Sequence, residues 1–308
     1  MLKWIKRKIL NSKYFIRALQ DPTKFEFFQS KGYHVIPNHY YYPVPDTSKF
    51  PPDFFVKKFD WEGIDLYEEE QKKLLTSFIQ NYKSEYSKIP FHKTDIPYEY
   101  FWDNGGFQCL DAISFYGMIR HFKPKRVIEV GGGNTTMIAA KAVAKNESEQ
   151  HPCELITVEP YAWEIHRKGI PGWSRLIEKP VQEVDLSLFK SLNENDILFI
   201  DTSHIVKIGS DVTYYFMNLL PHIKPGVIIH FHDIFLPEQY PQDWVMKRHL
   251  FFTEQYILRA FLSYNDAFKI IFAGRFLQLK FPDLMKDAFD FYRGEVTVAG
   301  SFWIQRTK

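Results

Sequence analysis

Two short stretches concentrate the side chains that can move a proton or hold a charge. "DTSH" places Asp201 and His204 three residues apart, and "HFHD" groups His230, His232 and Asp233. A neutral imidazole near pH 7 can take a proton from a hydroxyl, which makes His232, and after it His204, the candidate general bases. Asp201 and Asp233 each follow an apolar run, and carboxylates ending neighbouring strands lie within several ångströms of each other. Glu159 in "ITVEP" ends another such run. Its carboxylate can accept both hydroxyls of a vicinal diol and would repel a phosphate.

A glycine turn supplies the second kind of chemistry. In "RVIEVGGGNTTMIAAKAVA", Gly131 and Gly133 let the backbone turn sharply and approach a ligand. A phosphate-cradling P-loop needs a Lys followed by Ser or Thr, and the stretch has none. A dinucleotide fingerprint wants a third glycine at residue 136, where Thr136 stands. What is left is a strand, an acidic residue two positions before the first glycine, and a helix.

Only a sheet can bring these groups together. From about Gln108 the chain alternates short apolar runs ("RVIEVG", "ELITVEP", "SRLIEKPV", "DILFID", "GVIIHFHD") with helical stretches such as "NTTMIAAKAVA" and "SDVTYYFMNLLPHI". Uninterrupted apolar strands separated by helices signal a parallel sheet covered on both faces. The tail adds strands at "FKIIFAG" and "EVTVAGSFWIQR", giving an α/β, doubly wound, mostly parallel seven-stranded sheet. Ligands of such sheets bind outside the carboxyl ends of the strands, which is where the glycines, Glu159, Asp201 and Asp233 fall.

Four motifs in register, "VIEVGGGNTT", "ITVEP", "DILFIDTSH" and "GVIIHFHDIFLPEQYP", resemble those of class I S-adenosylmethionine-dependent methyltransferases, in particular a bacterial branch acting on small molecules. The resemblance covers about Gln108 to the C-terminus and implies a Rossmann-like methyltransferase fold. It implies that Glu129 and the turn Gly131, Gly133, Asn134 and Thr135 hold the methionine portion of S-adenosylmethionine. Glu159 would take the ribose hydroxyls, Val181 and Gln182 would flank the adenine, and Asp201 would border the same site. Thr135 stands where the usual motif has its third glycine. By the likeness to metal-dependent O-methyltransferases, Asp201 and Asp233 would also ligate Mg²⁺, although Ile234 replaces the Asn that usually follows the second Asp. The implied activity is O-methylation of a small molecule, a sugar or glycan precursor. A nicotinamide-dependent oxidoreductase on the same topology and a catalytically silent scaffold at a membrane surface are the competing readings.

The rest of the chain frames these expectations. The 308 residues suit one large domain with an extension: residues 1–107 as N-terminal helix, Pro- and aromatic-rich segment and cap helix, and residues 108–308 as the S-adenosylmethionine-binding domain. Residues 1–20 read as a basic amphipathic helix, which suits peripheral membrane contact or docking on protein, a second subunit included. "GYHVIPNHYYYPVPDTSKFPP" excludes regular helix and reads as a lid carrying His34, His39, Tyr40, Tyr41 and Tyr42. Tyr240, Trp244 and His249, in the loop after "HFHD", are the candidate acceptor contacts. A net charge of +2 gives no mandate for nucleic acid, and two cysteines without CxxC spacing indicate neither a disulfide framework nor a zinc site. No apolar run reaches the ~18 residues that span a bilayer, so the expected location is the cytoplasm, with membrane association through residues 1–20.

Overall fold

Apolar side chains on both faces of every central strand leave the parallel sheet no solvated side, and helices cover it. In the computed structural model, which describes residues 17, 19, 21–290 and 298–308, the strands are β1 (Arg126–Val130), β2 (Glu154–Val158), β3 (Arg175–Ile177), β4 (Ile197–Ile200), β5 (Ile228–Phe231), β6 (Phe268–Ala273) and β7 (Phe302–Arg306). Their order is β3-β2-β1-β4-β5-β7-β6, with β1 to β5 parallel and β7 inserted antiparallel between β5 and β6. The order reverses between β1 and β4, and Gly131 and Asp201 follow those two strands directly. A doubly wound sheet opens a crevice at that switch point.

The helix Cys109–Phe122 carries buried residues around nearly its whole circumference, so it is a core helix rather than a surface one. Its Phe115 stacks on Phe199 of β4 at 4.0 Å between centroids, and Phe199 stacks on His230 of β5 at 4.0 Å. Each such ring removed from water contributes about 1.5–3 kcal/mol. The helix Glu68–Tyr86 packs against it, with Phe78 so close that a Cβ on Gly117 would lie 2.5 Å from the ring. Arg120, from the same core helix, ties three helices together through Glu85, Asn146 and Glu149.

The chain divides into two compact units, residues 1–54 and 55–308. The segment 55–107 therefore belongs with the sheet, ahead of the change at residue 108 where the α/β alternation begins, because the helix Glu68–Tyr86 buries Leu75 and Phe78 in the same core. In the first unit, residues 32–52 form turns and one 3-10 helix, Thr47–Lys49, capped by Asp46, and no α-helix. The basic helix expected over residues 1–20 falls almost wholly outside the described residues. Among the described residues no helix is long and apolar enough to cross a membrane.

Some boundaries moved. The stretch expected as one helix over "SDVTYYFMNLLPHI" is α-helical at Asp211–Tyr214, widens to a π turn at Tyr215–Leu219 and ends in 3-10 form at Leu220–His222, where Pro221 has no N–H to continue the ladder. Short helices at Glu164–Lys168, Gln242–Met246 and Gly274–Lys280 lack the length for a periodic signal.

Candidate active site

The glycine turn after β1 is fixed by contact rather than by flexibility. Gly131 has φ +91°, and a Cβ there would lie 1.7 Å from the Asp201 carbonyl oxygen, so a side chain is excluded both by conformation and by space. Its N–H donates to Val158 O at 3.0 Å, which seats the turn between β2 and β4. Gly132 donates to Glu159 Oε2 at 3.1 Å. Gly133 is extended, with φ −177°, its N–H donates to Thr136 Oγ1 at 3.3 Å, and a Cβ there would stand 3.7 Å from the Trp163 ring. Asn134 starts the helix Asn134–Ser148 and donates to Asn104 Oδ1 at 3.2 Å, and Asn104 in turn holds the carbonyls of Phe101 and Phe107. Residues 101–107 are thus laced to the turn, a contact for which no local sequence signal exists.

Glu129 does not reach the crevice, contrary to the role expected for it. Its side chain is fully buried, and Oε2 accepts from Thr136 Oγ1 at 2.5 Å and Thr157 Oγ1 at 2.7 Å, while Oε1 has no partner. Burial pushes its carboxyl up to about 7 against the pull of those hydroxyls and of Thr135. Glu129 braces the underside of the turn. Thr135 is likewise buried.

Above the turn lies a cavity of about 360 Å³, walled by Gly131, Glu159, Val181, Gln182 and Asp201, as expected, and also by Tyr161, Thr202, Ser203, Asp211 and Tyr215. Asp211 was missed because its tie to Ser203, whose N–H donates to it at 2.9 Å, spans eight residues of loop with no pattern. Three carboxylates and no Lys or Arg line the space, which suits a cationic ligand and repels phosphate. Glu159 Oε1 accepts from Tyr161 N at 2.7 Å and Oε2 from Gly132 N, so each oxygen keeps a lone pair for a ribose hydroxyl. Gln182 Nε2 donates to Gly209 O at 3.1 Å, fixing the wall expected beside the adenine. These residues fit S-adenosylmethionine.

At the ends of β4 and β5 the two stretches read first in the sequence converge. His204 Nε2 stands 3.3 Å from Asp201 Oδ1 and 3.4 Å from Asp233 Oδ2, and its Nδ1 stands 2.9 Å from Glu254 Oε2. Although burial alone would lower it, His204 is raised well above the ordinary histidine value by Asp201 and Glu254. With Nδ1 bonded to Glu254 and Nε2 standing between two carboxylates, the surroundings favour the protonated ring, which makes His204 a poorer base than His232. Burial opposes ionisation of Asp201, but the imidazoles of His232 and His204 outweigh it and draw the carboxyl down to about 2.

The other two histidines differ from His204 and from each other. His230 is buried, lies against Phe199 and Trp303, shares a hydrogen bond with Ser301, and is held neutral by burial. His232 keeps Nε2 3.6 Å from Asp233 Oδ1, and its Nδ1 is buried without a partner. Burial would lower His232, but the carboxylates of Asp201, Asp233 and Asp111 outweigh it and raise it. The Mg²⁺ expected between Asp201 and Asp233 does not fit this arrangement, because Nε2 of the His204 ring already stands within 3.4 Å of both carboxylates. Among the described residues no three His, Cys, Asp or Glu side chains are disposed to hold a metal. Of the loop candidates, Tyr240 is buried with its hydroxyl accepting from Gln255 N, Trp244 packs on Phe235 and Phe252 with Arg248 over its ring, and His249 lies in left-handed backbone, φ +55°. Tyr240 is therefore a packing residue.

Part of the chain is similar to known proteins. A family described as methyltransferase domain matches residues 128–234. An uncharacterized protein of Archaeoglobus fulgidus is 34% identical over 171 residues, covering 52% of this chain and 75% of that protein. Among solved structures, the apo structure of CmcI-N160 is 12% identical, with a TM-score of 0.36 over 64% of this chain and 71% of that one. A putative protein-L-isoaspartate O-methyltransferase from Plasmodium falciparum in complex with S-adenosyl-L-homocysteine is also 12% identical, with a TM-score of 0.31 over 55% of this chain and 84% of that one. The matched domain runs from β1 through the "HFHD" stretch and so contains the glycine turn, Glu159 and the paired strand-end carboxylates. With the sheet order and the acidic cavity, that match makes residues 128–234 a methyltransferase domain.

Proposed function

We propose that the enzyme methylates a hydroxyl of a small-molecule acceptor, a sugar or glycan precursor, and that His232 removes the hydroxyl proton. The observation that carries this reading is the contrast between two neighbouring imidazoles: His204 has both nitrogens facing carboxylates, while His232 has Nδ1 unpartnered and Asp233 beside Nε2. A carboxylate 3.6 Å from Nε2 favours the tautomer with its proton there, leaving Nδ1 to accept, as in an oriented general base. S-adenosylmethionine, when bound, supplies the methyl, whose bond to sulfur breaks with its electron pair remaining on sulfur. Glu159 and the glycine turn would hold it, Asp201 and Asp211 would lend negative charge to the cavity that takes this cation, and His232 Nδ1 would take the acceptor proton as the methyl is transferred. An aromatic content of 18% supports the sugar class, since aromatic faces suit sugar rings.

The test is release of S-adenosylhomocysteine from S-adenosylmethionine in the presence of a panel of nucleotide sugars and glycan fragments, with the product analysed by mass spectrometry. A methyl ether is expected. Methylation confined to nitrogen or carbon acceptors would overturn the reading. Binding is checked separately by melting temperature, which S-adenosylhomocysteine should raise and NAD should not.

A further inference from the structure

We propose that His204 is a positioning residue whose ring N–H occupies the place a divalent cation would need between Asp201 and Asp233, so that the two strand-end carboxylates are held side by side without metal. Nε2 stands 3.3 Å from Asp201 and 3.4 Å from Asp233, and Nδ1 is hydrogen-bonded to Glu254 at 2.9 Å, so the ring fills the space among the three carboxyl groups. Mg²⁺ would demand oxygen ligands at about 2.1 Å in octahedral array. The imidazole instead places a flat ring within 3.4 Å of both carboxylates.

The backbone is built to aim this ring. His204 O accepts from Thr253 N at 2.9 Å and from Glu254 N at 3.1 Å, and Val206 N donates to Thr253 Oγ1 at 2.7 Å. The chain leaving β4 is thereby laced to the start of the helix Glu254–Leu262, which delivers Glu254 behind the ring, and Phe252 lies 4.9 Å from it. His204 has φ +58° and Asp233 has φ +54°. A residue bearing a side chain holds that conformation only where the surroundings enforce it. Here both ends of one contact are strained, and the lacing, together with Ile234 N donating to Gly300 O at 2.9 Å, sustains them. With Oδ2 of Asp233 toward His204, its Oδ1 is left for His232, 3.6 Å away. The bridge thus sets the orientation of His232, a consequence that rests on the base assigned above.

The experiment uses the purified full-length protein after treatment with EDTA. It is titrated with MnCl₂, free Mn²⁺ is followed by electron paramagnetic resonance, and melting temperature is recorded in parallel. The wild type should take up no Mn²⁺ in the millimolar range. His204→Ala leaves Asp201, Asp233 and Glu254 around the vacated ring, and should bind Mn²⁺ at least roughly tenfold more tightly and melt higher in its presence. Tight Mn²⁺ uptake by the wild type that Asp201→Asn removes would overturn the proposal, as would a folded His204→Ala protein with no gain in Mn²⁺ affinity. Should His204→Ala fail to fold, His204→Asn takes its place, with the same two outcomes. Calorimetry of S-adenosylmethionine on the wild-type sample reports on the cofactor site separately, so failure there is distinguishable from failure of the bridge.

Discussion

Two carboxylates near the ends of adjacent strands behave in opposite ways. Glu129 on β1 is fully buried among threonine hydroxyls and is pushed up to about 7. Asp201 after β4 keeps 27% of its side chain exposed, stands beside imidazoles and is drawn down to about 2. The difference teaches which half of the site is mechanical and which is electrostatic. Neutral hydroxyls cannot offset the loss of water around a charge, so the β1 side keeps a raised carboxyl and offers a ligand only backbone and shape. Cationic rings can, so the β4–β5 side favours an ionised Asp201.

The largest effect should come from the mechanical half. Gly131→Ala forces a Cβ onto the Asp201 carbonyl in a left-handed conformation, and should cost more than about 4 kcal/mol or prevent folding, read by chemical denaturation. A variant melting like the wild type would show that the turn is not locked.

On the electrostatic side, His232→Gln should lower turnover by about 10²–10⁴ while leaving S-adenosylmethionine affinity intact. Equal losses in binding and turnover would assign His232 to the cofactor instead. Since the folded protein raises His232 above 6.5 and the base must be neutral, wild-type turnover should climb with pH through that raised value. A profile flat from about pH 6 to 9, roughly the titration range of a perturbed histidine, would remove the base.

The two carboxylates also separate by linkage. Glu129 is raised from an ordinary 4.5 to about 7, so its contribution is fully present below 4.5 and is lost as pH rises through 7, a change of about 3 kcal/mol. Asp201 is depressed from 3.8 to about 2, so its contribution is present above 3.8 and is lost as pH falls through 2. Denaturation midpoints measured against pH should show the decline between 4.5 and 7 flatten in Glu129→Gln and persist in Asp201→Asn. An unchanged decline in Glu129→Gln would mean that the residue is not the buried proton holder.

Smaller effects sharpen the mechanical side. Glu159→Ala should weaken S-adenosylmethionine binding by one to two orders of magnitude, the roughly 1.5–3 kcal/mol of hydrogen bonds to a charged group, measured by calorimetry. Gly133→Ala should change stability by less than about 0.5 kcal/mol, because its backbone is extended and the new Cβ would meet Trp163 at an ordinary 3.7 Å. A large loss there would erase the distinction drawn between Gly131 and Gly133.

Much was legible before folding. The strands, their alternation with helices and the placement of Gly131, Glu159, Asp201 and Asp233 at strand ends follow from apolar runs whose period and length are local properties. Glu159 and Gln182 do line the cavity expected for them. Glu129 was misplaced because a strand residue faces one side or the other of the sheet, and which side is covered depends on Thr136 and Thr157 from other elements. Asp211 and Glu254 could not be read at all, since each acts across a loop or from a helix some 50 residues away.

The sequence by itself determined the α/β class, the glycine turn that refuses phosphate chemistry and the identities of the acidic and imidazole side chains, because composition and short-range spacing are written in the chain. Only the tertiary structure decided what those groups are. Three histidines of one chemical type become a clamped cation at His204, a neutral packing ring at His230 and a ring with a free nitrogen at His232. The physical reason is that protonation and hydrogen-bond role depend on which groups arrive within about 4 Å, and those come from segments distant in the chain.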